Sequence, residues 1–545
     1  MSEQAGTEPR APVQGAAAAL EGALPAGISS AMDLRGHVRA RCDVVVIGSG
    51  AGGAVLAAGL AEAGHSVVVL EEGGAYTKAD FDLQEATAYP QLYQERGTRA
   101  TADMAVTILQ GRSVGGSTTV NWTTCYRTPE RILSHWRQAH GLEFSEESLR
   151  PHFEAVERRL SIATWPEQNA NRNNQTLGRG ARKLGWEASP TRRNVKGCAN
   201  SGYCGVGCPV DGKQAMHVTY LRDLVAAGGR VLADCRVDRI ALTPDGGRAR
   251  GVEASVLDRA SGKTTGATLT IEAKVVVSSA GAIHTPALLI RSGLRDGPVG
   301  RRTFLHPVVG IGGVYAERID GFYGAPQSMA SHQYIDRGPD KMGFFMEAVP
   351  VQPMLIAFAS GQFGAGLRGM MAQLPHLSVL IGLAVDGLLP GDEGGHIEVE
   401  GGAGDGGGRI RVHYPISAAL RDAMAAMHEA LAKVQLAAGA KSAFSLHREP
   451  VQLQSEADLP ALRSAPYGAL EHGIFSAHQM GGAAMGKDPA RAVVTPSLRH
   501  GRVANLFVVD GSVLPTALGV NPSQTIYGLA HHARTAVLAA TREAG

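Results

Sequence analysis

A short β-branched run that ends in a glycine-rich turn is the feature that most constrains how this chain folds. Residues 42–47 read as a strand that leads into Gly48-Ser49-Gly50-Ala51-Gly52-Gly53, and small residues then continue as a helix to about residue 63. Gly64 ends that helix before a second apolar strand at residues 67–70. Such a strand–helix–strand unit belongs in a parallel sheet that is covered by helices. The sequence therefore predicts an α/β fold.

The glycine turn has the spacing of a dinucleotide-binding loop. Gly48, Gly50 and Gly53 follow the G-x-G-x-x-G pattern, which lets the backbone turn tightly, approach a pyrophosphate and seat the helix against the strand. Glu71, at the end of the next strand, would accept a ribose hydroxyl, and its charge favours FAD or NAD over NADP. The hexapeptide alone is also compatible with a glycine turn that binds nothing.

The order of the elements predicts a nucleotide-binding domain interrupted by another domain. With 545 residues the chain exceeds the usual size of one hydrophobic core. Apolar runs at 274–278 and 505–509 read as further strands of the first sheet, although they lie far apart in sequence. We therefore predict a flexible N-terminal extension at 1–40, an FAD-binding domain at 41–310 and 476–545, and a substrate-binding domain at 311–475. That domain would contain strands near 343–349 and 409–414 and a helix over 417–436.

Composition excludes several classes of partner. The formal net charge is +2 and the basic residues are scattered, so nothing indicates binding of nucleic acid or of an anionic membrane. No signal peptide is evident, and the longest apolar stretch, 377–385, is too short to span a bilayer. We expect a cytoplasmic protein without a transmembrane segment. The run 401–408 reads as a flexible glycine loop.

Three further motifs make the chain resemble a known family. Residues 111–121 (GRSVGGSTTVN) and 281–293 (GAIHTPALLIRSG) resemble the two signatures of the glucose–methanol–choline (GMC) oxidoreductases. The C-terminal runs 510–515 (DGSVLP) and 519–522 (GVNP) are similar to the end of the chain that contacts the flavin in that family. The resemblance implies a Rossmann-like FAD-binding domain interrupted by a substrate domain with an antiparallel sheet and helices.

The resemblance also implies which residues contact the cofactor. They include residues of the first glycine loop and the strand that follows it, of the second glycine segment, of a strand that meets the adenine, and of the C-terminal motif: Gly48, Gly50, Ala51, Gly53, Glu71, Gly115, Gly116, Ser117, Asn121, Val237, Asp510, Gly511, Asn521 and Pro522. Taken alone, Val237 is equally compatible with an ordinary strand residue, and Asn521 with a helix cap.

Oxidation of an alcohol by a flavin requires a base for the hydroxyl proton and transfer of a hydride to flavin N5. Histidine is the natural base near neutral pH. His478, in residues 476–482 (SAHQMGG), resembles the family's catalytic histidine, and Asn521 stands where family members carry histidine or asparagine. We predict that His478 removes the proton and that Asn521 orients the substrate oxygen. His306 reads as a structural residue.

Three segments look most like those of the long-chain (fatty) alcohol oxidases and dehydrogenases within the family: 204–208 (CGVGC), 284–286 (HTP) and 476–481 (SAHQMG). That similarity implies an apolar alcohol as substrate. Apolar residues of the inserted domain are candidates for the pocket, although the hydrophobic core is the commoner place for such residues: Phe344, Phe345, Met346, Met354, Leu355, Ile356, Phe358, Met370 and Met371.

Three cysteines lie close together in the segment 195–215. Cys198, Cys204 and Cys208 resemble the cysteine segment that binds an iron–sulfur cluster in the catalytic subunit of bacterial FAD-dependent glucose dehydrogenases. A reduced cysteine loop and a zinc site completed by His217 are the alternatives. A cluster would pass electrons to an external acceptor, whereas without one oxygen can reoxidise the flavin directly. Sequence leaves oxygen, a quinone and a cytochrome open as acceptors.

Other functions on the same scaffold stay open at this point. The family's scaffold also carries flavin-bearing lyases that do no net redox chemistry, and fold alone does not fix function. A sugar or sterol dehydrogenase that passes electrons through the cluster is a further alternative, as is a flavin-binding electron-transfer subunit whose partner does the catalysis.

Overall fold

The computed structural model of the protein describes residues 24–401 and 408–544. The strands, in chain order, are β1 (Ile28–Ser30), β2 (His37–Ile47), β3 (Val67–Leu70), β4 (Thr107–Ile108), β5 (Ile162–Thr164), β6 (Ser189–Pro190), β7 (Arg192–Asn194), β8 (Arg230–Ala233), β9 (Cys235–Leu242), β10 (Ala249–Leu257), β11 (Thr264–Ser278), β12 (Arg301–Phe304), β13 (Val308–Val314), β14 (Met329–Ser331), β15 (Phe344–Ala348), β16 (Leu377–Ala384), β17 (Gly395–Glu400), β18 (Arg409–His413), β19 (Ser442–Ser445), β20 (Gln452–Leu453), β21 (Phe475–Ser476), β22 (Met480–Gly481) and β23 (Leu506–Val508).

The α-helices, in chain order, are α1 (Ala51–Glu62), α2 (Glu85–Leu92), α3 (Glu130–His140), α4 (Glu146–Arg159), α5 (Arg172–Lys183), α6 (Tyr220–Ala226), α7 (Gly281–Arg291), α8 (Pro353–Ser360), α9 (Gly364–Ala372), α10 (Ala418–Ala437), α11 (Pro460–Arg463) and α12 (Ser523–Glu543). Within the described ranges, none of them is both long and apolar enough to cross a membrane.

The first sheet contains the strand–helix–strand unit predicted from sequence. Its strand order is β1-β8-β3-β2-β11-β10-β9, and β23 pairs with the end of β11. β1, β8, β3, β2, β11 and β23 run parallel, whereas β10 and β9 form an antiparallel extension. Val44, Val45 and Val46 of β2 are fully buried, as expected for a parallel strand covered on both faces. The predicted α/β class is confirmed.

The glycine turn after β2 allows backbone segments to approach one another more closely than side chains permit. Gly48 has a φ of +95°, a left-handed conformation that other residues rarely adopt. A Cβ on Gly52 would lie 1.8 Å from the carbonyl oxygen of Val509, and one on Gly53 would lie 2.1 Å from the carbonyl oxygen of Gly48. Helix α1 can therefore seat against β2 and the C-terminal segment only with glycine at these positions.

The N-terminal extension predicted to be flexible contributes to this sheet. β1 pairs in parallel with β8, with Ile28 opposite Val231, and β2 already begins at His37. Pairing supplies hydrogen bonds that the composition of this stretch does not reveal, so the prediction was wrong for residues 28–40. Residues 1–23 and most of the predicted glycine loop, 402–407, lie outside the described residues.

A second, largely antiparallel sheet carries most of the elements expected in the substrate-binding part. Its order is β20-β19-β13-β16-β15-β14-β6, with β21 bridging β13 and β4. α10 and α5 pack together next to it. α10 begins after Ser417, whose Oγ accepts a hydrogen bond from the amide of Leu420. Of the two strands predicted here, β15 lies in this sheet, whereas β18 belongs to a small sheet of order β18-β17-β12-β22.

The substitution Gly52→Ala tests the close approach of α1 to the C-terminal segment. The added methyl would collide with the Val509 carbonyl, so we expect a destabilisation of about 1–3 kcal/mol, the usual range for overpacking, together with weaker flavin retention. Differential scanning calorimetry and the bound-flavin absorbance measure both effects. The matched control is Gly369→Ala in α9, where a Cβ meets no atom within 4 Å. Equal melting temperatures for the two variants would contradict the packing argument.

Candidate active site

A cavity of about 740 Å³ lies where the parallel strands end and the C-terminal segment returns. Its volume falls in the range of small-molecule and cofactor sites, about 300–1,000 Å³. The wall includes most of the residues predicted to bind the cofactor or substrate: Gly48, Gly50, Ala51, Glu71, Gly116, Ser117, Asn121, Val237, His478, Asp510, Gly511, Asn521 and Pro522. Gly53 and Gly115 stand behind that wall and shape its two glycine loops.

The two glycine loops meet at the bottom of the cavity. A Cβ on Gly116 would lie 2.8 Å from the Cα of Gly50, so the loops touch through backbone alone. Gly115 has a φ of +97°, and its amide donates a 2.9 Å hydrogen bond to Oγ of Ser49. The second loop then turns through the short 3-10 helix Gly116–Thr119. Several loop amides bond within the protein, so the amides placed to bind a pyrophosphate are those at the N-terminal end of α1, beside Gly50.

Glu71 joins the first glycine loop to the strand that follows it. Its carboxylate accepts hydrogen bonds from the amide and hydroxyl of Ser49, at 3.0 and 2.6 Å, and from the amide of Gly73 at 2.9 Å. Burial raises the pKa of this carboxyl, and these hydrogen bonds oppose that rise. Neighbouring Glu72, which the sequence reasoning missed, also lines the cavity and pairs with Arg112.

The C-terminal motif closes the opposite side of the cavity. Asp510 accepts hydrogen bonds from the amide of Gly281 at 2.9 Å and from Oγ1 of Thr285 at 2.5 Å, so it ties this motif to the start of α7. Asn521 and Pro522 precede α12, whose N-terminal end lines the cavity. The positive end of a helix dipole stabilises negative charge on a bound group.

Buried polar atoms in the cavity wall fit a cofactor with many hydrogen-bonding groups. Oδ1 of Asn121, Nε1 of Trp122, Oγ1 of Thr123 and Oδ1 of Asn521 are shielded from solvent and have no hydrogen-bond partner among the described residues. Unpaired buried polar groups are costly. A bound dinucleotide, with its ring, ribityl and phosphate groups, is a ligand of the kind that would satisfy such atoms, so the residues present fit FAD.

His478 lies at this cavity beside Asn521. Its Nε2 is 3.4 Å from Nδ2 of Asn521, and its Nδ1 is 3.1 Å from Nδ1 of His306. Burial of the ring lowers the pKa of His478 to about 4. The imidazole is therefore neutral at neutral pH and able to accept or donate one hydrogen bond at each nitrogen.

His306, interpreted from sequence as structural, is in direct contact with His478. The amide of Gly519 donates a 3.1 Å hydrogen bond to Nε2 of His306, which places the proton of the neutral His306 ring on Nδ1. That proton points to Nδ1 of His478, so neutral His478 carries its own proton on Nε2. The contact of Nε2 with Nδ2 of Asn521 then joins two donors and is not a hydrogen bond. Asp386 holds the backbone here by accepting hydrogen bonds from the amides of Leu305 and His306. Burial raises the pKa of Asp386 to about 7.

Glu347 is a second residue that the sequence reasoning missed. It lies in β15, is fully buried and accepts a 2.9 Å hydrogen bond from Gln327, while its Oε1 lacks a partner. Burial raises the pKa of Glu347 to about 8, and the side chain of Asn521 opposes that rise. A glutamate inside the apolar run Phe344-Phe345-Met346-Glu347-Ala348 was the available signal, because buried ionisable groups with shifted pKa values concentrate at functional sites.

The three cysteines border a small separate cavity of about 20 Å³ together with Lys213. Nζ of Lys213 donates to the carbonyl oxygens of Thr119, Asn121 and Cys204, so the cysteine segment is attached to the second glycine loop. Burial lowers the pKa of Lys213 to about 8. Buried Arg193, two of whose nitrogens lack a partner, lies 3.9 Å from Sγ of Cys204. This cationic surrounding fits an anionic group held by thiolates.

The spacing of the sulfurs argues against the zinc alternative. A tetrahedral zinc ion with Zn–S bonds of about 2.3 Å holds its ligand sulfurs about 3.8 Å apart. Among the described residues, no three ligand atoms from the cysteines and His217 lie within 4.8 Å of one another. His217 instead contacts Oγ1 of Thr119, at 3.4 Å. The cysteines and His217 therefore do not form a closed zinc site within the described residues.

The apolar residues proposed from sequence as a pocket lie elsewhere. Phe344, Phe345 and Met346 are buried in the core, whereas Met354 and Phe358 are exposed on α8, and none of the nine lines the cavity. The apolar part of the wall includes Met104, Leu109, Ile410 and Val412 instead. The hydrophobic-core alternative was therefore correct for β15, since strand residues that alternate between two covered faces are all buried.

Comparison with known proteins assigns the chain to a family. Two family models described as "GMC oxidoreductase" match the chain. The N-terminal model matches residues 89–308, and the C-terminal model matches residues 390–530. An uncharacterized GMC-type oxidoreductase of Mycobacterium tuberculosis is 34% identical over 499 residues, which are 90% of this chain and 75% of the relative. Long-chain-alcohol oxidase FAO4A of Arabidopsis thaliana is 30% identical over 514 residues, 91% of this chain and 68% of the relative.

A solved structure shows the same fold. Pyridoxine 4-oxidase from Mesorbium loti superposes with a TM-score of 0.66 at 20% identity and covers 91% of this chain and 99% of its own. The fold, the two glycine loops and the family match together define a GMC oxidoreductase, and the chain belongs to that family. It is an FAD-dependent oxidoreductase that acts on the CH–OH group of its donor. The family, fold class and cofactor predicted from sequence are thus confirmed.

Proposed function

We propose that this enzyme oxidises the hydroxyl carbon of a long-chain, apolar alcohol at the cavity that His478 and Asn521 line. The observation that carries the proposal is that this pair shares one cavity with both glycine loops and with the start of α12. Bound FAD supplies the chemistry of hydride acceptance. Asn121, Val237, Asp510 and the glycine loops are proposed to hold it.

The pair would bind the substrate by its oxygen. His478 presents Nε2 toward Asn521, and an amide beside an imidazole positions a hydroxyl through one donor and one acceptor. Asn521 does not titrate, so it leaves proton transfer to its neighbours. In the first assignment, His478 is the base that removes the hydroxyl proton.

The tautomer of His478 favours a second assignment of the base. With His306 donating to Nδ1, Nε2 of His478 carries a proton and donates to the substrate oxygen, and it accepts a proton only after His306 changes tautomer. Glu347, whose pKa is raised and whose side chain contacts Asn521 behind the cavity wall, is then the group proposed to accept the proton. In that assignment His478 orients and polarises the hydroxyl.

The pH dependence of kcat/KM separates the two bases. A base works only when unprotonated, so activity falls as pH drops through its pKa. The midpoint of this decrease lies near pH 4 if His478 is the base and near pH 8 if Glu347 is the base.

In both assignments we expect His478→Gln to lower the rate of anaerobic flavin bleaching by roughly 10²–10⁴-fold while flavin remains bound. Stopped-flow absorbance of the flavin measures this rate.

Two variants complete that test. Glu347→Gln removes the acid limb if Glu347 is the base and leaves it in place if His478 is. The control is His37→Gln, which replaces an exposed histidine at the start of β2 and should behave as wild type.

If His478→Gln left turnover unchanged, the chain would be an electron-transfer subunit instead. If alcohols failed to bleach the flavin at all, lyase chemistry would be favoured.

The substrate class rests on the similarity to long-chain-alcohol oxidases and on the apolar part of the wall. Met104, Leu109, Ile410 and Val412 provide aliphatic surface on the same cavity as His478. Burial of a methylene contributes about 0.8 kcal/mol, so a long alkyl chain gains affinity for this wall that a sugar does not.

A series of primary alcohols from butanol to hexadecanol tests this substrate class. We expect kcat/KM, measured with an artificial electron acceptor, to rise by up to about fourfold for each methylene that becomes buried, until the wall is filled. Glucose and cholesterol serve as comparison substrates. A profile that is flat with chain length, or higher activity on glucose or cholesterol, would replace the proposal with the sugar or sterol alternative.

We further propose that Cys198, Cys204 and Cys208 hold an iron–sulfur cluster. The supporting observations are the cationic side chains of Lys213 and Arg193 beside the sulfurs, and the direct link from Lys213 to the second glycine loop. Such a group transfers electrons singly, which favours an external acceptor over oxygen.

Iron and acid-labile sulfide assays on anaerobically purified protein check this proposal. We expect both in the wild type and the loss of both in Cys204→Ser, with flavin content unchanged. Cys235→Ser, a buried cysteine in β9, is the control and should keep the iron. Wild-type protein free of iron and sulfide would leave a reduced cysteine loop as the correct reading.

A further inference from the structure

A group of metal-ligating side chains lies on the hairpin formed by β17 and β18. His396 of β17 pairs directly with His413 of β18 in the antiparallel register. Glu398 stands two residues after His396, and residues two apart share one face of a strand. The sheet geometry thus places all three side chains on the same face of the hairpin.

The ligand atoms of these side chains lie close together. Nε2 of His396 lies 3.3 Å from Oε1 of Glu398, and Nε2 of His413 lies 3.2 Å from Oε2. The two imidazole rings stack with centroids 4.6 Å apart and an interplanar angle of 8°, so a ring must rotate for both nitrogen lone pairs to face one ion. One ligand atom from each residue fits within 4.8 Å of the others. Nε2 of His413 is shielded from solvent and lacks a well-directed hydrogen bond, although the carboxylate is near.

We propose that His396, Glu398 and His413 form a binding site for a divalent transition metal of the zinc class, separate from the flavin cavity. Imidazole and carboxylate are ligands that zinc prefers, with bonds of about 2.0–2.2 Å. Tetrahedral geometry then places ligand atoms about 3.3–3.5 Å apart, close to the nitrogen–oxygen distances that the hairpin already holds. Three protein ligands leave the fourth position to water.

The arginines next to Glu398 leave its carboxylate available to the two histidines. Arg411 stands opposite Glu398 in the register, but its Nε donates to Glu400 at 3.0 Å. Arg301 of β12 pairs with His396 from the other side and is exposed, so its guanidinium can extend into solvent. The carboxylate is thereby available to offset the charge of a bound cation.

The opposite face of the hairpin holds the site in place. Ile397 and Val412 are buried and pack with Ile283 and Ala287 of α7. Because this apolar face is anchored in the protein, the outward-facing ligands sit on a rigid support, which is what a metal site requires. β18 also contributes residues 409–412 to the wall of the flavin cavity, so a metal that joins β17 to β18 would stiffen that wall.

Isothermal titration of the flavin-loaded enzyme with Zn²⁺ in a non-chelating buffer tests the proposal. We expect the double variant His396→Gln/His413→Gln to bind one Zn²⁺ fewer per chain than the wild type. Glu398→Gln keeps the shape of the side chain, and we expect it to lower the affinity of that site by about tenfold or more. His37→Gln is the matched control and should retain the wild-type stoichiometry.

Co²⁺ as the probe distinguishes this site from the cysteines. Cobalt on the hairpin should give ligand-field absorption without the thiolate charge-transfer bands expected at Cys198, Cys204 and Cys208, and this absorption should disappear in the double variant. Zn²⁺ should also raise the melting temperature of the wild type more than that of the double variant. Equal stoichiometry, or equal melting shifts, in wild type and double variant would overturn the site. Neither result depends on alcohol oxidation.

Discussion

The structure depends on one constraint: several backbone segments approach one another at the end of β2 more closely than any side chain allows. Gly48, Gly52 and Gly53 let the turn, α1 and the C-terminal segment meet, and Gly116 lets the second glycine loop touch the first. This backbone contact places the N-terminal end of α1 at the cavity, where its first amides are available to an anionic cofactor. Sheet, cofactor cradle and C-terminal motif thus form a single unit.

Around that unit, burial rather than neighbouring charge determines the protonation states of the side chains. His306, His478 and Glu347 are enclosed by protein, and in each case burial favours the neutral form of the side chain. A hydrogen bond from Gly519 then determines the tautomer of His306 and, through it, the position of the proton on His478. The reactivity of the histidine is therefore decided by a backbone amide two contacts away.

The cysteine segment and the β17–β18 hairpin attach to this centre at different places. Lys213 connects the cysteines to the second glycine loop by donating to backbone carbonyl oxygens of that loop. The hairpin is connected to the centre because residues 409–412 of β18 form part of the cavity wall. An iron–sulfur cluster on the cysteines would accept electrons, and a metal ion on the hairpin would stiffen the cavity wall. In both cases the side chains themselves come from one short stretch of chain, a loop for the cysteines and a pair of neighbouring strands for the hairpin.

The sequence by itself determined the local features. Local patterns such as β-branched runs and glycine spacing predicted α1, β3, α10 and the end of β2 to within a few residues, because such patterns act over short distances. The tertiary structure alone decided the strand pairing of residues 28–30, the contact of His306 with His478, the burial of Glu347 and the meeting of His396 with His413. The first three depend on packing between segments far apart in the chain, and the last depends on the register of two neighbouring strands; no local pattern encodes either.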